Sequence, residues 1–450
     1  MKTVWNLFVL SQLLINGSEA FQDAKSLGRR KFALFGASNN NVVLTPSEDK
    51  EAFDSLKIGA CRVHRYKRDG IDSGIDSETE YVMWYHGRSE EQDKDKTLPP
   101  LSTGRIGRAT SKNGLSWEKD TKGSLDADMP GVSLGLNTDS WWGFDTAHVG
   151  LGNVLLPMST PAIISEGGVY LMYYMGGSFD ETPIGDYTEK EMPADATIRG
   201  MKMKIGVAIS QDGTVWGRVE GDDPSGACMV PFDKDDVHSQ EMIDMKDEKG
   251  NPVGLTEELY CAWPDVVPNI DESNPDNSGF IMYYSTMTKN DKEKCIGSAV
   301  SADGFRWFKR ELVLRPTEDT MDEGGCARAS VYRNAKYDED SSAWSDDKGY
   351  TMLYEGVSKE DNKHRIMMAE SMDGKTWAKK GVVMDVGDDE DAFDCMGVGS
   401  PHILRLDDGS QRMYYTGQAA DGSTAVGIAK CELGSTEWVP EQASIVFATA

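Results

Sequence analysis

Five acidic residues recur at one position of this 450-residue chain, each just ahead of, or at the start of, an apolar run. They are Asp54 in Ala52-Phe53-Asp54, Asp145 in Gly143-Phe144-Asp145, Glu258 in Glu257-Glu258-Leu259-Tyr260, Asp322 in Met321-Asp322-Glu323-Gly324 and Asp394 in Ala392-Phe393-Asp394. Gathered around one opening, such carboxyl groups could exchange protons with a substrate if their surroundings keep one protonated and another ionised. They could instead grip sugar hydroxyls, or hold Ca²⁺, which takes about six to eight hard oxygen ligands. An acid repeated at the mouth of a strand also has a plainer use, accepting backbone N–H bonds in an Asx-turn. Both readings stand for each member.

Other side chains fall near these acids. Trp141 and Trp142 lie just before Asp145 and His148. Adjacent indole rings offer a stacking face for the C–H surface of a sugar, and can equally pack in a core. Asp265 follows Pro264, while Arg328 and His402 fall at matching places further along. An Arg facing a ring of acids would lower their pKa values. A His there could donate to a sugar, or simply be satisfied within the fold. No phosphate-binding Gly-rich loop, Cys-x-x-Cys or His-Glu-x-x-His is present. Gly131-Val132-Ser133-Leu134-Gly135 matches a nucleophile elbow by letter, but lacks the strand-to-helix context that motif needs.

The elements that must position these residues are written five times. An aromatic strand is followed by a Ser-x-Asp-Gly-type turn and a Trp: Tyr81 to Tyr85 with Ser111 to Gly114 and Trp117; Tyr170 to Tyr174 with Ser210 to Gly213 and Trp216; Phe280 to Tyr284 with Ser301 to Gly304 and Trp307; Tyr350 to Tyr354 with Ser371 to Gly374 and Trp377. The last, Arg412 to Tyr415, has only Leu433-Gly434-Ser435 before Trp438. From Tyr283, Leu353 and Tyr414 to their tryptophans the spacing is 24 residues each time. A further apolar run precedes each aromatic strand, and another follows each Trp in the last three repeats, the final one being Ser444-Ile445-Val446-Phe447. Self-similarity at this period means repeated blades, and four short runs per repeat mean four strands. The expectation is an all-β, five-bladed β-propeller with four antiparallel strands per blade. It spans residues 46–450, with blades at about 50–130, 140–235, 255–318, 320–388 and 390–450. The five acids then fall at one end of the channel. The first two repeats carry surplus polar residues, near 89–104 and 178–204, as surface insertions or a lid.

The formal charge of −28 argues against nucleic acid or anionic lipid as partners. Residues 1–20 combine a lysine, an apolar stretch and Ser18-Glu19-Ala20, and read as a signal peptide too short to span a membrane. After Phe21, residues 24–41 are basic, acid-free and contain three Asn, which resembles the bipartite plastid-targeting leader of diatoms and related algae. Seven cysteines, and no Asn-x-Ser/Thr beyond Asn16, favour a plastid over secretion, the alternative. Residues 21–45 are then a transit-like linker.

The five hairpins with Ser-x-Asp-Gly-x-x-Trp turns resemble the arabinanase, levansucrase and invertase superfamily of five-bladed glycoside hydrolases. That resemblance implies a catalytic carboxylate set around the channel mouth and a glycan or small sugar as ligand. By it, Asp145 is base or nucleophile, Glu258 the acid and Asp394 the stabiliser. Trp141, Trp142, His148, Asp265, Arg328, His402, Asp54 and Asp322 would contact substrate. The usual Asp-Pro, Arg-Asp-Pro and Glu-Cys motifs are absent: the matching runs read Ala60-Cys61-Arg62, Leu151-Gly152-Asn153 and Trp263-Pro264-Asp265. The alternative is a non-catalytic propeller, a sugar-binding module or an assembly scaffold with a protein partner. No cofactor is required by either reading, with Ca²⁺ in the channel as the one candidate ion.

Overall fold

The computed structural model describes residues 40–68, 78–89, 104–124, 128–155, 169–188, 190–193, 195–243, 254–269 and 279–443. Within them the chain is almost all β, with a short helix at Val237–Glu241 and a 3₁₀ turn at Ile184–Tyr187. The leader and its processing site fall outside the described residues, as does the insertion at 90–103.

The five sequence repeats are five antiparallel units. Unit one runs Lys57–Arg68, Glu78–Arg88, Arg105–Ser111, then an outer strand split into Glu118–Lys119 and Val132–Leu134. Unit two is His148–Leu155, Tyr170–Gly177, Lys204–Ser210 and Gly217–Val219. Unit three is Glu258–Asn269, Gly279–Thr288, Lys294–Ser301 and Phe308–Leu314. Unit four is Gly325–Asp338, Ala343–Val357, His364–Ser371 and Ala378–Met384. Unit five is Gly397–Arg405, Gln411–Gln418, Thr424–Cys431 and Val439–Pro440. The second strands read as unbroken apolar and aromatic runs because both faces are covered: Tyr283, Tyr284, Tyr414 and Tyr415 are all buried.

Residues 444–447, expected as the outer strand of unit five, lie outside the described residues. Val439–Pro440 pairs only with Ala429 and Lys430, and the next stretch of the same edge, Val426 and Gly427, is taken by Val42–Leu44 from the other end of the chain. Asn41 fixes this strand by donating to the Tyr415 hydroxyl at 2.8 Å, and Val42 is fully buried. The sheet thus begins ahead of residue 46.

The recurring turn has a direct cause. Ser111, Ser210, Ser301 and Ser371 each accept the N–H of the turn glycine through Oγ, and Asp212, Asp303 and Asp373 each accept two backbone N–H groups beyond it. The glycine carbonyl then receives a donor from the preceding unit. Trp84 Nε1 donates to Gly213 O, Tyr173 Oη to Gly304 O, Tyr283 Oη to Gly374 O and Tyr414 Oη to Gly114 O. The last of these runs from unit five back to unit one. Unit four has Leu353 at this position, and the turn it would address is the divergent one at Leu433-Gly434. Lost donor and altered acceptor therefore go together. The turn tryptophans stack edge-on at the same seams, Trp307 on Tyr173, Trp377 on Tyr283 and Trp117 on Tyr414.

First strands meet their neighbours side by side. His64 bonds Val154 O, Asn153 donates to Val266 O, Asp265 accepts from Val331 N and His402 bonds Val63 O, while Ser400 N donates to Glu355 on the second strand of unit four. Those five bonds run through units one to five and return to unit one. Arg62 of unit one also reaches Asp265 of unit three, a non-neighbour, at 3.3 Å with both side chains buried. That ion pair crosses the space between the first strands.

Candidate functional site

The five repeated acids are not a ring of open carboxylates. Each is held inside its own unit by the tyrosine of the second strand: Tyr85 donates to Asp54, Tyr174 to Asp145, Tyr284 to Glu258, Tyr354 to Asp322 and Tyr415 to Asp394, at 2.7–3.0 Å. In four units a cation from the outer strand completes the group: Lys119 on Asp54, Arg218 on Asp145, Lys309 on Glu258 and Lys379 on Asp322, at 2.5–2.6 Å. Asp54, Asp145, Glu258 and Asp322 are buried. A carboxylate ion-paired and bonded in this way joins the first, second and outer strands of its sheet. Among the described residues, no group of three or more His, Cys, Asp or Glu could hold a metal ion.

The Phe before the Asp shares this duty. Phe53 and Phe393 pack on Tyr85 and Tyr415, and Phe144 stacks on Tyr174. Room for each comes from a glycine on the third strand: a Cβ on Gly107, Gly206 or Gly427 would lie 2.2–2.4 Å from the ring. Unit four has Met367 at the glycine position and Met321 at the Phe position, while unit three keeps the glycine, Gly297, with Glu257 at the Phe position.

Asp394 differs from the other four. It is half-buried, it bonds Tyr415, and no cation from the outer strand reaches it among the described residues. Burial raises its pKa, partly offset by the Tyr415 hydrogen bond.

Asp265 and His402 are also consumed by the fold. Burial pushes Asp265 up to about 6, against the pull of Arg62 and the Val331 N–H. His402 is pushed down to about 3 by burial and by Arg62, and its Nε2 is committed to Val63 O.

Where the first strands begin, basic residues converge and acids answer some of them, Asp128 on Arg105 and Glu355 on Arg328, each at 2.6 Å. Register places Lys57 opposite Arg88, and Arg105 opposite Gly87. His148 opens the first strand of unit two, and Lys294 and His364 open the third strands of units three and four. All lie at the same end of their sheets. Burial, followed by Arg88, brings Lys57 down to about 8. Burial drives His86 to about 3, with Arg88, His148, Arg328 and Arg105 all repelling its proton. His148 falls to about 4 by burial, with Arg88 and Arg105 adding to it and the Gly200 carbonyl opposing. Lys294 is lowered by burial and by Arg328. The shared repulsion shows that these groups occupy one electrostatic neighbourhood.

Among the described residues, the Nδ1 atoms of His86 and His148 are buried with no hydrogen-bond partner. Arg328 lies over the half-buried Trp263 ring at 4.5 Å and pairs with Glu355 at 2.6 Å. Burial works against the Glu355 charge, but Arg328 and His364 outweigh it and hold the carboxyl well below its usual range. Trp263 and Arg328 take left-handed backbone angles, φ 48° each, as do Ala60 and Ser400 at the matching bulges of units one and five. A non-glycine residue held there stores about 1–3 kcal/mol, a strain that gathers at ligand sites.

At the rim of unit two, Trp141 is 86% exposed and Trp142 55%, with rings 5.8 Å apart and nearly perpendicular. They do not pack between units. The described residues within 178–204 form a folded flap: Glu181–Pro183 pairs with Thr197–Arg199, and Ile184, Tyr187 and Ile198 join Tyr260 and Met287 of unit three in one apolar cluster. Its Gly200 carbonyl caps His148 at 2.8 Å. Sequence reasoning missed Lys57, His86, Arg88, Arg105, Lys294 and Glu355. Their signal lay in position, since each sits at or near the end of a strand once the repeat is aligned.

No protein-family model matches this chain, and no curated protein matches its sequence. Solved structures do match. A glycosyl hydrolase from Bacteroides ovatus is 14% identical, over 90% of this chain and 95% of its own, with a TM-score of 0.51. A structure from work on the GH130 family of mannoside phosphorylases, which contains glycoside hydrolases that target β-1,2 mannosidic linkages in Candida mannan, is 13% identical over 92% of this chain and 99% of its own, with a TM-score of 0.50. A thermostable family-43 glycoside hydrolase is 13% identical over 86% and 95%, with a TM-score of 0.50. The fold is therefore similar to that of these glycoside hydrolase structures, at low sequence identity. Fold alone does not carry chemistry.

Proposed function

We propose that the five units close as a five-bladed propeller of four-stranded blades, and that the chain is a carbohydrate-active protein whose mouth takes a glycan bearing a carboxylate, sulfate or phosphate. The seam bonds that return from unit five to unit one, and the Arg62–Asp265 pair across the first strands, support closure. With the channel crossed by that pair, a ligand enters from the basic end and stops there.

The observation that carries the ligand reading is the cluster of Lys57, Arg88, Arg105, Lys294 and Arg328 around two histidines with orphaned Nδ1 atoms, in a protein whose net charge is −28. Asp128 pairs with Arg105 and Glu355 with Arg328, and an anionic ligand would add to these counter-charges. Trp141 and Trp142 supply an open aromatic face on the rim of unit two for a neighbouring sugar ring.

Binding without turnover is favoured over hydrolysis, because Asp145 and Glu258 are each locked by a tyrosine and a cation. If a glycosidic bond is cut, Asp394 is the acid whose surroundings suit proton donation. The test is a binding and cleavage screen of the full chain against matched oligosaccharides, neutral and with uronate, sulfate or phosphate groups. Retention of the charged members, weakening as salt rises, supports the reading. Equal retention of neutral members contradicts it, and cleavage abolished in Asp394→Asn would add a hydrolase.

A further inference from the structure

Units three and four carry a thiol where the other units carry an aliphatic side chain. At the position two residues before the bulge, the first strands have Ile58, Val149, Cys261, Cys326 and Val398, all buried. The two thiols touch the lysines that pair with the repeated acids. Lys309 Nζ lies 3.0 Å from Cys261 Sγ, 2.5 Å from Glu258 Oε2 and 3.0 Å from Tyr284 Oη. In unit four, Lys379 Nζ lies 4.0 Å from Cys326 Sγ and 2.6 Å from Asp322. A buried cysteine is usually an inert small hydrophobe. Here an amine, a thiol and a carboxylate that can relay protons are already in contact.

We propose that Cys261 and Lys309 form a modification site, in which a peroxide oxidises the thiol and the lysine closes a sulfur–nitrogen bond between the first and outer strands of unit three. In the first step the peroxide transfers one oxygen to Cys261, giving the sulfenic acid and one water or alcohol. Glu258 then takes a proton from the Lys309 ammonium. The freed nitrogen lone pair attacks sulfur, the S–O bond breaks, and the departing hydroxide leaves as water with the proton held by Glu258. The second proton on nitrogen passes to solvent. The product is a sulfenamide, the amine counterpart of the known condensation of a sulfenic acid with a backbone nitrogen. Glu258 keeps the Tyr284 hydroxyl and the Phe232 N–H as partners after the ammonium charge is gone. Burial raises the Cys261 thiol, against the pull of Lys309, and against burial Glu258 holds the Lys309 proton, so both the oxidation and the bond formation should quicken as pH rises. Unit four has the same groups with a wider gap, and serves as an internal comparison.

The test is mass spectrometry of the full chain exposed to hydrogen peroxide and digested without reductant. The expected product joins the Cys261 peptide to the Lys309 peptide, about 2 Da lighter than their sum and separated again by a thiol reductant. It should form faster at pH 9 than at about pH 7, persist in Cys326→Ser and vanish in Cys261→Ala. Since that last variant changes a core position, the decisive result is in the unaltered protein. Recovery of Cys261 as a free thiol, or as a sulfinic acid beside an unmodified Lys309, overturns the proposal.

Discussion

The buried ion pair of Arg62 and Asp265 sets the strongest expectation at the scale of single residues. Removing one partner strands a charge between first strands, whereas removing both leaves an apolar gap that can be filled. Arg62→Met and Asp265→Leu should each lower stability by about 3–5 kcal/mol, and the double variant by clearly less than their sum, read by denaturant unfolding. Full additivity would mean that the two side chains do not meet. Lys57 gives a second test, through pH. Its pKa of about 8 means that the mouth loses a charge as pH rises through 8. Affinity for an anionic ligand should therefore fall across that pH, and binding at pH 8 should take up protons, measurable by calorimetry in buffers of different ionisation enthalpy. A Lys57→Met variant should show neither effect.

Among the elements, the third-strand glycines are the sharpest constraint. A Cβ on Gly107 would sit 2.2 Å from Phe53 Cζ, so Gly107→Ala should cost roughly 1–3 kcal/mol by overpacking. Phe53→Leu in the same chain should return part of it, seen as a recovery of the unfolding midpoint. The repeat itself was legible because its turn chemistry is local: Ser, Asp and Gly bond within four residues, and the Trp follows at a fixed distance. What the acids do was not legible. Their partners Lys119, Arg218, Lys309 and Lys379 lie 51–73 residues away on the outer strand, and only the sheet register brings them together. The basic mouth was hidden for the same reason, its members coming from three different strands in four units. Trp141 and Trp142 were visible as a pair, but whether they stood in solvent or in a seam depended on the loop around Asn137, whose carbonyl oxygen fixes Asp139 and Ser140.

At the scale of the whole molecule, both ends of the described chain meet on the last unit. Residues 40–44 lie along the third strand of unit five, with Val42, Val43 and Leu44 buried and Asn40 O accepting from Ala443 N at 2.6 Å. Burial of three aliphatic side chains is worth roughly 5 kcal/mol, a large part of the stability of an ordinary domain. A chain starting at residue 46 should therefore unfold at markedly lower denaturant, with hydrogen exchange rising first in Thr424–Cys431. Early exchange elsewhere, with unit five still protected, would show that this strand is dispensable. The central claim, that the mouth reads charge on a glycan, is tested most directly by a cycle in protein and ligand charge. Calorimetric affinities are measured for an anionic oligosaccharide and its neutral counterpart, with the full chain and with Arg328→Met. The predicted result is a loss of about tenfold or more for the anionic ligand in the variant, against little change for the neutral one, equivalent to a coupling of roughly 1.4 kcal/mol. Equal losses for both ligands, or tight binding of the anion undisturbed by the variant, would contradict it.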